Sequence, residues 1–88
     1  MPIDEATWDC VVGNLDLSPR MAEIARLLLC GLEGKEIASR LKIGLPTVRT
    51  YLGRLYRRVG VAERVGFILH VFALVVRLER TDGCHPPR

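Results

Sequence analysis

The sequence lacks the features that mark most secreted and membrane-spanning proteins. Its N-terminal segment carries acidic residues but no basic flank and no apolar run, so it does not resemble a signal peptide. The most apolar stretch, residues 65–76, is twelve residues long and contains a histidine, whereas a helix that spans a bilayer needs about 20 apolar residues. The three cysteines form no Cys-x-x-Cys pair. These absences favour a reduced, cytoplasmic setting and no membrane partner.

Residues suited to catalysis or metal binding are also scarce. His70 lies in the apolar stretch and His85 in the C-terminal tail, and neither has a paired carboxylate or a nucleophile motif nearby. Cys84 and His85 supply at most two of the four ligands that a structural zinc ion needs. We therefore predict that the protein is not an enzyme, with no catalytic residue, metal site, cofactor or small-molecule ligand.

Charge is distributed unevenly along the 88 residues. The net charge is +3, but residues 1–16 contain four acidic side chains and no basic one, whereas residues 17–60 contain nine basic side chains and three acidic ones. A basic central segment indicates a polyanionic partner, although most charged helix faces are simply solvated.

The pattern of apolar residues predicts an all-α fold. No stretch alternates with period two, and no Asn-Gly or Asp-Gly turn joins β-rich segments. Asp4 is expected to cap a short first helix, with an apolar face of Trp8, Val11, Val12 and Leu15, that ends near Gly13-Asn14. Ser18-Pro19 is a typical helix start. Further helices are expected over residues 35–42, 46–59 and 63–80.

Residues 35–58 combine a short helix, a turn and a longer helix, which is the arrangement of a helix-turn-helix. The longer helix has an apolar side and an opposite side of hydroxyls and arginines, and residues 45–60 contain no Asp or Glu. A helix with such a face is expected to enter the major groove of double-stranded DNA, where its arginines lie against the phosphates along the groove. Arg49 and Thr50, near its start, are the expected base readers. The expected backbone contacts are Lys35, Thr47, Arg54, Arg57 and Arg58.

Residues 17–72 resemble the LuxR-type (GerE-like) helix-turn-helix domain. The shared motifs are LSPR at 17–20, GL at 31–32, KEIA at 35–38, TVRTYL at 47–52 and RRVGV at 57–61. The resemblance implies a four-helix fold of a bacterial transcription regulator, whose third helix reads DNA and whose fourth helix mediates dimerisation. It also implies a base contact at position 53, where this chain has Gly53 in place of the usual polar residue. This departure, together with Gly44 at the helix cap, weakens the expectation of tight sequence-specific binding.

The last helix has two apolar stripes, which one small domain is not expected to cover. We predict that Val65, Ile68, Leu69, Phe72 and Val76 face the core. A second stripe, with steps of 4, 3 and 4 residues, is predicted to form the interface of a homodimer: Phe67, Val71, Leu74 and Leu78. The alternative is that Trp8, Val11 and Val12 of the first helix fold back over this second stripe within one chain.

These observations give a domain organisation and two functional hypotheses. Residues 1–16 are expected to form an acidic leader with a short amphipathic helix, residues 17–80 the helix-turn-helix domain, and residues 81–88 a flexible tail. The chain is expected to be a stand-alone homodimeric transcription regulator. The alternative is an antagonist that dimerises with full-length LuxR-type regulators and binds DNA weakly itself.

Overall fold

The computed structural model describes residues 3–80, all of whose regular structure is helical. The predicted tail of residues 81–88, including Cys84 and His85, lies outside the described residues. The all-α fold, with four helices and a short extra helix before them, is confirmed. The helices are α1 (Glu5–Leu15), α2 (Pro19–Leu29), α3 (Gly34–Leu41), α4 (Leu45–Val59) and α5 (Arg64–Arg80).

The first two helices begin at the capping residues expected from the sequence. The Asp4 carboxylate accepts a hydrogen bond from the Thr7 N–H at 2.8 Å, and this bond lowers the pKa of Asp4. The Ser18 hydroxyl accepts one from the Met21 N–H at 3.3 Å. Helix α1 does not end at Gly13-Asn14 but continues to Leu15, because Asp16 adopts the left-handed conformation (φ 53°) that closes its last turn.

Helices α3 and α4 form the predicted helix-turn-helix. Lys42 ends α3 in the left-handed conformation (φ 57°), and the chain enters α4 two residues later through Gly44. Val48 and Leu55 are completely buried on the inner side of α4. They pack with Ile24, Leu28 and Ile37 of α2 and α3 in a single core, which fixes α4 at the surface with its other side exposed.

The two faces of α5 are opposite to those predicted. Phe67 and Val71 are completely buried, and Leu74 is only 4% exposed, whereas Leu69 is 64% exposed. The stripe predicted to form the dimer interface (Phe67, Val71, Leu74 and Leu78) therefore packs in or against the core of one chain. Conversely, four of the five residues predicted to face the core are exposed, namely Val65, Leu69, Phe72 and Val76, and the fifth, Ile68, is partly buried.

The reversal arises from α1 and α4, the two helices that pack against α5. Helix α1 packs against α5, and its Trp8 and Val11 lie in the same core as Phe67, which is the intrachain alternative stated above. On the other side of α5, the ring of Tyr56 in α4 packs against the ring of Phe67, with 6.0 Å between the two ring centres. Because α5 is apolar around most of its circumference, the sequence pattern does not decide which stripe these neighbours cover.

Among residues 3–80, no single helix is long and apolar enough to cross a membrane. Helices α4 and α5 together have the length and apolar composition of a membrane span, but the chain bends by 49° at the turn between them.

Candidate nucleic-acid interface

The exposed side of α4 carries every residue that the sequence analysis assigned to this helix as a possible DNA contact. Arg49, Thr50, Arg54 and Arg57 are exposed, and Gly53 is partly exposed between them. We call this surface the basic face of α4. It consists of Thr47, Arg49, Thr50, Gly53, Arg54, Arg57 and Arg58. Since four of these residues are arginines and none is acidic, the face carries a net positive charge.

The N-terminal end of α4 is open to solvent. Gly44 occupies the capping position and has no side chain with which to cap the helix, and Thr47 in the first turn is exposed. The positive end of the helix dipole therefore reaches the surface beside Thr47, where an anion such as a phosphate is stabilised.

Lys35 lies close to this end of the helix although it belongs to α3. Lys35 and Arg49 line one open depression between the starts of α3 and α4, together with Glu33, Gly34, Leu45 and Leu52. The depression thus brings together a residue predicted to contact the DNA backbone and one predicted to read bases. Glu33, one of the three acidic residues of segment 17–60, lines the same depression.

Two arginines of the basic face have intramolecular partners that the sequence analysis missed. The Arg54 guanidinium lies 5.7 Å from the centre of the Tyr51 ring, within the range of a cation–π contact. Arg58 donates a hydrogen bond to the Asp16 carbonyl at 3.2 Å and lies 3.7 Å from its carboxylate. Tyr51 and Arg54 are three residues apart on one helix, and this spacing could have indicated their contact. The second joins residues 42 positions apart, and only the tertiary structure creates it.

The acidic leader is therefore attached to the basic segment by two ion pairs. Glu5 pairs with Arg26 of α2, and Asp16 pairs with Arg58 of α4. Both pairs are substantially exposed to water, so each contributes little to folding stability. The second pair nevertheless places a negative charge beside the basic face.

Within the described part of the chain, the other polar side chains form no buried site. No polar or charged side chain is buried among residues 3–80, and no group of three potential metal ligands occurs within that range. His70 is partly exposed on α5.

A second exposed surface is apolar and lies on α5. The exposed stripe of α5 consists of Val65 (56% exposed), Leu69 (64%), Phe72 (38%) and Val76 (47%). Its steps of 4, 3 and 4 residues are those of a seam between two helices. Contiguous apolar surface of this kind is uncommon on a monomer and is typical of a protein interaction site.

Comparisons with known proteins match the part of the chain that contains this geometry. A family model described as bacterial regulatory proteins, luxR family, matches residues 15–71. A putative HTH-type transcriptional regulator of Mycobacterium bovis is 38% identical over 52 residues, which are 59% of this chain and 6% of the relative. The probable HTH-type transcriptional regulator GfsR of Streptomyces halstedii is 41% identical over 51 residues, or 58% of this chain and 21% of the relative.

A third relative is described as a response regulator rather than as an HTH-type transcriptional regulator. The response regulator Rre1 of Synechocystis is 34% identical over 55 residues, covering 62% of this chain and 24% of the relative. The chain thus spans between 6% and 24% of the length of these three relatives. No solved structure matches the chain.

Proposed function

The chain belongs to the luxR family of bacterial regulatory proteins, and we propose that it regulates transcription in the cytoplasm by inserting α4 into the major groove of double-stranded DNA. The observation that carries this proposal is the basic face of α4. Its arginines and hydroxyls are exposed, and Val48 and Leu55 on the other side hold the helix firmly on the core. A helix supported in this way has the size and charge that the groove accepts.

The two ends of the basic face are assigned different roles. Arg49 and Thr50 lie in the first turns of α4, where side chains of a recognition helix reach base edges. Arg54, Arg57 and Arg58 lie further along and are proposed to contact phosphates, as are Thr47 and Lys35 at the open N-terminal end. Gly53 lies between the two groups.

We further propose that the protein binds DNA as a homodimer that forms through the exposed stripe of α5. These four large apolar side chains are 38–64% exposed, so each forgoes part of the about 1.5–3 kcal/mol that full burial of such a side chain contributes. A second copy supplies an identical stripe, and two-fold packing of the two α5 helices covers both. Each α4 would then contact one half-site, with the two half-sites about one helical turn apart.

The proposal is tested by selecting binding sites from a random duplex library with the purified chain. We expect an enriched sequence with two-fold symmetry, and a binding constant that falls linearly with salt concentration on a double logarithmic plot. Failure to retain any duplex at low salt would contradict the assignment of α4 as a recognition helix.

A second candidate function is an antagonist that pairs with full-length LuxR-type regulators and binds DNA weakly. The observation that favours it is the state of the basic face, in which position 53 has no side chain and the Thr50 hydroxyl, Arg54 and Arg58 all have partners within the chain. The α5 stripe would serve either function. The antagonist predicts little binding to any duplex and mixed dimers with other luxR-family domains, so the selection experiment separates the two.

A further inference from the structure

Gly53 occupies the centre of the basic face, with Arg49 one turn before it and Arg57 one turn after it. Glycine in the middle of an exposed helix is destabilising relative to alanine, because it loses more backbone freedom on folding. A glycine at such a position therefore needs either a structural reason or a reason that lies outside the chain.

The fold itself supplies no structural reason. Gly53 is helical and is not among the residues with positive φ. A Cβ atom added to it would meet nothing within 4 Å. The other glycines near it along the chain differ in this respect, since Gly60 has φ 77° and a Cβ atom on Gly66 would lie 3.1 Å from the Cβ of Val61. Only Gly53 combines ordinary helical backbone with open space on the basic face.

The side chain one turn before Gly53 adds an apolar surface to this space. The Thr50 hydroxyl donates a hydrogen bond to the Pro46 carbonyl at 3.1 Å. Because its proton is used within the helix, Thr50 offers its partner a methyl group and a lone pair rather than a donor. Residues three apart share one helix face, so the missing side chain at Gly53 leaves a gap beside Thr50 and between Arg49 and Arg57, which we call the notch.

We propose that this notch receives the C5 methyl group of a thymine in the major groove. The proposal rests on the proposed function, since it requires α4 to lie in that groove. The thymine methyl is the apolar group that a base pair exposes there, and small apolar side chains recognise it by contact. A side chain at position 53 would fill the space, whereas glycine lets the backbone approach the methyl. The lack of a base-reading side chain at position 53 would then give the protein a preference for thymine at one position of its site.

The test replaces single thymines by deoxyuridine in the duplex obtained from the selection experiment. This change removes only the methyl group and leaves base pairing intact. We expect the affinity to fall about fourfold at one position in each half-site, the effect of exposing one buried methyl group. Replacements at the remaining thymines should have no comparable effect.

Variants of the full chain assign this effect to the notch. Gly53→Gln should fold with an unchanged or higher Tm, because glutamine is the better helix former, and it should bind the thymine and deoxyuridine duplexes with nearly equal affinity because its long polar side chain occupies the notch. Thr50→Ser, which keeps the hydroxyl and removes the methyl, should reduce the discrimination in part. Arg57→Ala is the matched control and should weaken binding to both duplexes by the same factor.

The outcomes separate this proposal from the function on which it depends. If the chain retains no duplex, the proposed function and the notch fail together. If it selects a sequence but no deoxyuridine replacement matters, or if Gly53→Gln discriminates like the parent, DNA binding stands and the thymine-methyl site is wrong.

Discussion

At the residue scale, Arg49 and Arg58 have the same chemistry but different positions on α4. Arg49 is exposed in the second turn of the helix beside the open depression that also contains Lys35. Arg58 is at the last turn and is held by Asp16. The two positions lead to different expectations for the same substitution.

Replacing Arg49 by alanine should relax sequence preference. An arginine that donates two hydrogen bonds to guanine contributes about 1–3 kcal/mol of discrimination, so the Arg49→Ala variant should lose that amount on the selected site and little on unrelated duplexes. Arg58→Ala should weaken all duplexes equally and reduce the salt slope by about one. Fluorescence anisotropy at several salt concentrations measures both. If the two variants bind every duplex like the parent, α4 is not the recognition helix.

Removing the negative charge at Asp16 should have the opposite effect. Asp16→Asn preserves the left-handed conformation, which asparagine tolerates, and it keeps the backbone carbonyl that accepts the Arg58 hydrogen bond. The variant lacks only the charge that competes with phosphate. We expect tighter binding to all duplexes at low salt and a difference that disappears at high salt. Asp9→Asn, on the exposed side of the same leader helix, is the control; an equal gain there would show a general charge effect.

At the element scale, α5 shows why a uniformly apolar helix is difficult to orient from its sequence. Both of its stripes have the spacing of a buried face. The stripe that was predicted to be the interface is buried, and most of the stripe that was predicted to face the core is exposed. The structure buries Phe67, Val71 and Leu74 beneath α1 and α4, and leaves the stripe around Leu69 exposed. The physical basis of the dimer prediction is unchanged, but the residues that would form the interface are different.

Leu69→Glu and Leu74→Glu should therefore have contrasting effects. Leu69 is 64% exposed, so a glutamate there stays in water in the monomer and blocks only the packing of two α5 helices. The variant should keep the helical circular dichroism spectrum of the parent and sediment as a monomer with reduced affinity for the symmetric site, and its Tm should lose the dependence on protein concentration that a dimer shows. Leu74 is 4% exposed, and a glutamate there buries an unpaired charge and should unfold the chain.

Analytical ultracentrifugation and circular dichroism distinguish these outcomes. Ala6→Glu, at an exposed position of α1, adds the same charge away from both stripes and should leave sedimentation unchanged. A parent chain that remains monomeric at high micromolar concentration would rule out the homodimer.

At the scale of the whole molecule, the N-terminal helix is part of the core rather than an appendage to it. Trp8 and Val11 are buried in the cluster that includes Phe67 and Ile24, while Glu5 and Asp16 at the two ends of α1 pair with arginines of α2 and α4. The boundary predicted at residue 16 therefore divides the chain by charge, but the residues on its two sides pack in one core.

Truncating Trp8 should show this dependence. Trp8→Ala leaves a large cavity between α1 and α5 and should reduce the free energy of unfolding by about 3–5 kcal/mol, a large part of the 5–15 kcal/mol typical of a small domain. Urea denaturation followed by circular dichroism gives the value. Asp9→Ala, exposed on the same helix, should change it by less than about 0.5 kcal/mol. Equal, small losses for both variants would show that α1 does not support the core.

The sequence by itself determined the parts of this protein that depend on local chemistry. The capping residues Asp4 and Ser18 and the separation of apolar and basic sides on α4 all act within a few residues, and the resemblance to a family rested on short motifs between residues 17 and 61. The tertiary structure alone decided which stripe of α5 is buried and which residue holds Arg58. Those outcomes depend on where α1 packs, and an apolar pattern records how much surface a helix buries but not the partner that buries it.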